Sequence, residues 1–350
     1  AAEALGDFNG AVVAIEVKTG DVLASVSKPA FDPNALVSGG STYKKKLMAV
    51  ESRPLFNRVS QGLYQPGSTV KPFIGLAGLE VNAIDSQHKI PCSGSYTLEG
   101  FKHKYRDSKR WGHGLMDLKS AITQSCDVFF YDLAGMLGID IIHDSMKKFG
   151  FGQKTGIEQF DEGDGLLPST RWKLKVHKKP WLPRENLLAG IGQGFIQVTP
   201  LQLAKATAIL ANHGKVIKPH LVDKQPQQAE VAKFDSKNID YIVSSMVNVV
   251  QDDLGTANGL KDINCAIAVK TGHAQVFAVK DTGFLSDEEM DFKLQDHSLF
   301  IGFTTGNTPQ LAVAIVVENG GVDSSLAVSV AKKVIKKYLQ IENSPCSLLG

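Results

Sequence analysis

The sequence predicts an α+β chain in which both ends build one antiparallel, five-stranded sheet flanked by helices, with an all-helical lobe inserted between them. Three observations predict it. β-rich runs at 11–17 (AVVAIEV) and 21–26 open the chain, joined as a hairpin across Lys18-Thr19-Gly20. Helical stretches such as 115–137, broken by Gly- and Pro-rich loops, fill residues 80–200. Strand patterns then return at 264–270, 297–304 and 311–318, and an amphipathic helix over 324–340 closes the chain.

Residues 28–66 carry Gly, Pro and Asn punctuation and read as a long surface connection. An apolar-periodic helix begins near Ser68 and runs through Phe73, Leu76 and Leu79. Another follows Thr199-Pro200, with Pro just inside its start and Asn212-His213-Gly214 ending it. The expected organisation is a sheet lobe over 11–67 and 260–350 and a helical lobe over roughly 80–200. The chain opens on Ala1-Ala2-Glu3, and residues 1–10 are expected to be a linker from a longer protein.

Composition narrows the partners. Lys and Arg total 38 against 36 Asp and Glu, a net charge of +2 that gives no argument for nucleic acid or an anionic surface as the main partner. The basic runs at 44–46 and 173–179 are short and read as solvated loops. No apolar run reaches the ~18 residues that a spanning helix needs. The four cysteines, Cys92, Cys126, Cys265 and Cys346, permit at most two bridges and do not make a disulfide scaffold.

The most informative segment is Gln65-Pro66-Gly67-Ser68-Thr69-Val70-Lys71-Pro72-Phe73. Pro-Gly forces a turn, and Ser68 then sits at a helix N-terminus, where free N–H groups favour developing negative charge. A spacing of three puts Lys71 on the same face. A serine hydroxyl needs an adjacent base to become a nucleophile, and a desolvated lysine can be that base. Ser-x-x-Lys alone is weak evidence, because it arises by chance in most chains of this size.

Two further motifs strengthen it. Ser125-Cys126-Asp127 supplies a hydroxyl able to relay a proton and a side chain able to bind the lysine. Lys-Thr-Gly occurs at 18–20, 154–156 and 270–272; the first two have turn contexts. Only Lys270-Thr271-Gly272 ends a strand downstream of the other motifs, where a cation, a hydroxyl and a glycine suit close approach of a substrate backbone.

In this order the three motifs resemble the signature of penicillin-binding proteins and serine β-lactamases. The resemblance extends over essentially the whole chain, including Asn57-Arg58, the run from Gln61 to Ser68, Phe149 to Gly156, Gly190 to Gly194 and Thr199-Pro200-Leu201-Gln202. Tyr105-Arg106-Asp107 with Trp111-Gly112-His113-Gly114 is more like the elongation-specific class B branch of Gram-negative bacteria. The resemblance implies the penicilloyl serine transferase (β-lactamase-like) fold and a D,D-transpeptidase that cross-links peptidoglycan stem peptides at the periplasmic face of the inner membrane. It also implies acylation by β-lactams and elongation-machinery membrane partners including a glycosyltransferase. Ser68 would attack, Lys71 would deprotonate it, Ser125 would shuttle the proton, and Lys270 with Thr271 and Gly272 would receive the donor. Backbone N–H groups of Ser68 and His273 would form the oxyanion hole.

Two positions depart from the pattern. Asp127 stands where Asn is usual, so it can accept from Lys71 but, if ionised, cannot donate to substrate. His273 replaces the usual Thr after Lys-Thr-Gly, and a protonated imidazole would have to take over its carboxylate contact. A D,D-carboxypeptidase, a serine β-lactamase and a β-lactam-binding scaffold or sensor remain open as alternatives.

No cofactor is required for this chemistry. Cys92, Asp107, His113 and Cys126 have ligand chemistry suited to zinc, although their spacing meets no zinc-finger rule and Cys126 also reads as a small buried residue. The class B resemblance implies a structural zinc on this set, with His103 the rival to Asp107.

Overall fold

The computed structural model describes residues 1–159, 161–222, 230–275, 295–305, 311–321 and 324–342. After a short helix α1 (Ala2–Leu5), strands β1 (Gly10–Glu16) and β2 (Val22–Lys28) form the expected hairpin. Two helices follow, α2 (Pro33–Ser38) and α3 (Gly40–Ala49), where the sequence reads as a surface connection. Neither buries a residue, so no apolar stripe advertises them. Asp32 caps α2 through the Asn34 N–H, with Pro33 in its first turn.

A 3-10 turn, Gly67–Val70, runs straight into α4 (Lys71–Glu80). Every residue from Gly67 to Leu79 is buried, so this helix forms the centre of the molecule rather than its surface. Its Phe73 packs edge-on against Phe149 and Phe151 at centroid distances of 4.8 and 5.3 Å.

Short strands β3 (Lys89–Cys92), β4 (Ser95–Thr97), β5 (Lys104–Arg106) and β6 (Gly114–Asp117) pair as two small ribbons, β3 with β6 and β4 with β5. They fall inside the region expected to be all-helical and are too short and polar to show a period of two. The helix expected over 115–137 is likewise divided. β6 leads into α5 (Leu118–Gln124), Ser125 turns left-handed (φ 61°, ψ 37°), and α6 (Asp127–Lys147) starts afresh. Helices α7 (Thr170–His177), α8 (Pro183–Gly190), α9 (Pro200–Ala211) and α10 (Ser236–Gln251) follow. At the start of α9, Thr199 and Gln202 form a reciprocal capping box.

Strands β7 (Ile267–Ala274), β8 (His297–Thr304) and β9 (Leu311–Val317) complete one antiparallel sheet of order β2-β1-β9-β8-β7. All seven residues of β9 are buried, so both faces of the sheet centre are covered; α9 and the closing α11 (Ser325–Glu342) both pack on β9. The sheet therefore joins the two chain ends as the sequence predicts. One boundary differs. β7 runs through Lys270 to Ala274, so Lys-Thr-Gly lies within the strand instead of ending it, because pairing with β8 continues to His273↔Ser298 and Ala274↔His297.

Candidate active site

Backbone contact comes first. Gly67 has φ 53°, and a Cβ there would lie 2.1 Å from the His273 carbonyl oxygen. Only glycine admits this approach of the Ser68 turn to β7. On the opposite side, a Cβ on Gly272 would fall 2.9 Å from Thr69 Cγ2 and 3.2 Å from Ser68 N. The two motif glycines thus bring Ser68 and the Lys-Thr-Gly strand together at backbone distance.

The lysines meet on one hydroxyl. Lys71 Nζ, with its side chain fully buried, donates to Asp127 Oδ1 at 2.6 Å, to the Ser125 carbonyl at 2.7 Å and to Ser125 Oγ at 3.2 Å. Lys270 Nζ, also buried, donates to the same Ser125 Oγ at 2.9 Å and to the Thr271 carbonyl at 2.9 Å. Burial, with the neighbouring Lys71 charge, holds the Lys270 ammonium well below its ordinary range, partly offset by Asp127. Ser68 is itself buried, and among the described residues its hydroxyl has no hydrogen-bond partner.

The left-handed turn at Ser125 makes this possible. It breaks the helix so that Ser125 presents both its carbonyl and its hydroxyl to Lys71, while Asp127 restarts the helix beside them. The restart is capped from a distance: Asp107 Oδ2 accepts the N–H groups of Asp127 (2.8 Å) and Val128 (3.1 Å). Burial alone would raise the Asp107 carboxyl, but hydrogen bonds from His113 and the Lys109 and Val128 N–H groups hold it well below the usual carboxylate range.

Asp107 also joins a second cluster. Ligand atoms of Cys92, Asp107, His113 and Cys126 lie within 4.8 Å of one another. Cys92 Sγ is 3.6 Å from His113 Nδ1 and 3.5 Å from Asp107 Oδ2, and His113 Nδ1 is 3.5 Å from Asp107 Oδ1. Zinc at ordinary Zn–S and Zn–N lengths in a tetrahedral site separates S and N by about 3.6 Å, so the donor set and spacing fit that ion. Burial and the Asp107 charge push the Cys126 thiol far up. His103, the sequence rival to Asp107, is exposed against the Tyr105 ring.

All five residues expected to carry chemistry, Ser68, Lys71, Ser125, Asp127 and Lys270, converge, as do Thr271 and Gly272. His273 is half-buried on β7, and its backbone meets the Gly67 turn. The other two copies of Lys-Thr-Gly lie in the β1–β2 turn and in a loop: Thr19 bonds Glu16 and Asp21, and the Thr155 N–H donates to Glu162. Two contributors escape sequence reasoning. Thr256 Oγ1 lies 2.6 Å from Thr271 Oγ1, and Ser324 Oγ donates to the Gly272 carbonyl at 2.9 Å. No motif marks either.

A helix-borne Ser-x-x-Lys, a lysine-bridged second serine and an edge strand with Lys-Thr-Gly define the class of serine acyl-transfer domains that react with penicillin. The family described as the penicillin binding protein transpeptidase domain matches residues 10–340, and the chain belongs to it. Within that family the chain is similar to the peptidoglycan D,D-transpeptidase MrdA of Acinetobacter baumannii, 38% identical over 351 residues that cover 97% of this chain and 52% of the relative. The chain thus spans about half the length of the curated relatives it matches. Penicillin-binding protein 2 (PBP2) of Pseudomonas aeruginosa, a crystal structure, superposes with a TM-score of 0.88 at 43% identity, covering 99% of this chain and 74% of that one. PBP2 of Helicobacter pylori, solved in complex with MreC, superposes at 0.85 with 30% identity over 96% of this chain and 61% of that one.

The buried pair gives a direct expectation. Asp127→Ala leaves the Lys71 ammonium without its carboxylate and is expected to cost about 3–5 kcal/mol of stability. Asp127→Asn keeps an acceptor oxygen and is expected to cost less. Denaturant unfolding of both variants checks the order.

Proposed function

We propose that the chain is the catalytic domain of a peptidoglycan D,D-transpeptidase that cross-links stem peptides during cell-wall elongation and is acylated by β-lactams. The observation that carries this reading is Ser125 Oγ held between two lysine ammoniums, beside a serine one helical turn before the first of them. In this reading Ser68 Oγ attacks the carbonyl between two D-alanines. Its proton passes to Lys71, which accepts after releasing a proton into the Ser125 and Asp127 network. Ser125 then delivers a proton to the departing D-alanine amine. The acyl-enzyme is resolved by an amine from a neighbouring stem, with the same groups acting in reverse.

Lys270 and Thr271 receive the donor carboxylate. Burial and the Lys71 charge disfavour the Lys270 ammonium, so an incoming carboxylate gives it the favourable partner it lacks. The bare Cα of Gly272 leaves the Ser68 N–H unobstructed, which suits an oxyanion hole made with the His273 N–H. Asp127, in place of the usual Asn, serves the lysine.

Residues 11–350 would form the transpeptidase domain, with residues 1–10 linking it to a preceding region. The working site would be the periplasmic face of the inner membrane. None of the described helices is long and apolar enough to cross a membrane. The MreC complex of the H. pylori relative supports protein partners for this domain, and a membrane glycosyltransferase is proposed as one of them.

The chemistry requires no cofactor, but we propose a structural zinc on Cys92, Asp107, His113 and Cys126. When bound it would neutralise the thiolates and carboxylate and tie the Cys92–His113 region to the start of α6. Protein purified without chelator is expected to carry about one equivalent of zinc; less than ~0.2 equivalents by metal analysis contradicts the assignment.

The activity is tested with a donor pentapeptide ending in D-Ala-D-Ala and an amine acceptor, followed by mass spectrometry. The expected products are free D-alanine and the cross-linked peptide, both absent with Ser68→Ala. Release of D-alanine without any cross-link, at every acceptor concentration, would replace the transpeptidase reading with a carboxypeptidase.

A further inference from the structure

At the opposite end of α6 from Asp127, where the helix closes at Lys147, a cavity of about 320 Å³ opens between that end, the loop after it and helix α9. Four lysines line it, Lys147, Lys148, Lys154 and Lys205, against one carboxylate, Glu230. Among the described residues none of these four ammoniums is paired with a carboxylate.

Lys205 makes the cluster unusual. It projects from α9, otherwise a core helix whose residues are buried from Pro200 to Ala211, and its stem lies against Gly150, where a Cβ would sit 3.4 Å from Lys205 Cε. Its Nζ has only a long contact, 3.4 Å, to the Thr155 carbonyl. The nearby buried Glu162 spends its carboxylate on the Thr155 and Gly156 N–H groups. Burial lowers the Lys205 ammonium from its ordinary range, an effect that Glu162 offsets in part and Lys218 reinforces.

The scaffold is held in place. Gln153 Nε2 donates to the Lys147 carbonyl, and Gln202 Nε2 donates to the Gln153 carbonyl, so the lysine-bearing loop is fastened to α9. Lys148 is fixed over the Phe234 ring at 5.3 Å.

Lys147, Lys148 and Lys154 are exposed and Lys205 is half-buried, so the hollow gathers positive charge at its solvent-facing rim and favours an anion. The lining contains no arginine, whose fork suits a planar carboxylate; it offers point charges, each with three donors, which suit a tetrahedral oxyanion. We propose that this cavity is an oxyanion site that takes a phosphate group, presented either on a lipid headgroup or on a free phosphate ester.

Two probes test it on the whole chain. Sodium pyrophosphate is titrated by calorimetry at low ionic strength, against sodium chloride of matched ionic strength. Vesicles of phosphatidylglycerol in phosphatidylcholine are co-sedimented with the protein. Saturable binding of pyrophosphate is expected, weakened at least about tenfold in Lys205→Met and in Lys154→Gln. Both variants should keep the wild-type rate of β-lactam acylation, which certifies the fold. Lysine-dependent binding to both probes, or to vesicles alone, identifies a headgroup; to pyrophosphate alone, a free phosphate ester. Binding of neither probe, or binding unchanged in Lys205→Met and Lys154→Gln, overturns the proposal.

Discussion

A fully buried lysine ammonium is the constraint around which this molecule is arranged. Lys71 has left water entirely, and a charge in that position is tolerated only if its donors are satisfied. Three oxygens from one short stretch, Ser125 and Asp127, satisfy them. That stretch can supply them only because the helix breaks there, with Ser125 left-handed and Asp127 beginning a new helix. The new helix start is capped by Asp107, which is also shared with the cysteine and histidine cluster. The candidate zinc site and the proposed proton-handling site are therefore mechanically one unit.

The sheet supplies the other half. Lys270 reaches the Ser125 hydroxyl because β7 is pinned by β8 on one side and meets the Gly67 turn on the other. The segment leading to Ser68 is anchored to the far end of β9, where Glu318 accepts from the buried Arg58 at 2.9 Å and from the Tyr64 hydroxyl at 2.8 Å. Sheet and nucleophile turn are thus tied by both backbone contact and a buried charge pair, which suits a site that must hold its geometry while an acyl group comes and goes.

Much of this is legible in the sequence, and the reasons differ by residue. Ser68 and Lys71 are readable because a turn signal precedes a helical period, and Lys270 because a strand pattern separates one Lys-Thr-Gly from two turn copies. Four of the five sheet strands, β1, β7, β8 and β9, are readable because they are apolar runs, and β2 because a hairpin turn joins it to β1. Asp107 is legible as a candidate zinc ligand only through resemblance, and its capping of α6 spans twenty residues that no local pattern links. The break at Ser125 is hidden because a non-glycine residue in the left-handed region gives no compositional warning. Helices α2 and α3 escape for the opposite reason: they bury nothing, so the periodicity that marks a helix is absent, although the Asp32-Pro33 start is there to be read. Thr256 and Ser324 reach the Lys-Thr-Gly strand from distant loops, and only the fold brings them there.

In the proposed reaction Ser68 carries the acyl group, and a penicillin acyl-enzyme that outlasts the measurement separates this reading from a β-lactamase. Intact-mass measurement after incubation with benzylpenicillin tests both parts at once. One stable adduct is expected on the native chain and none on Ser68→Ala. An adduct that persists on Ser68→Ala, or drug hydrolysis with no adduct on the native chain, would contradict this reading.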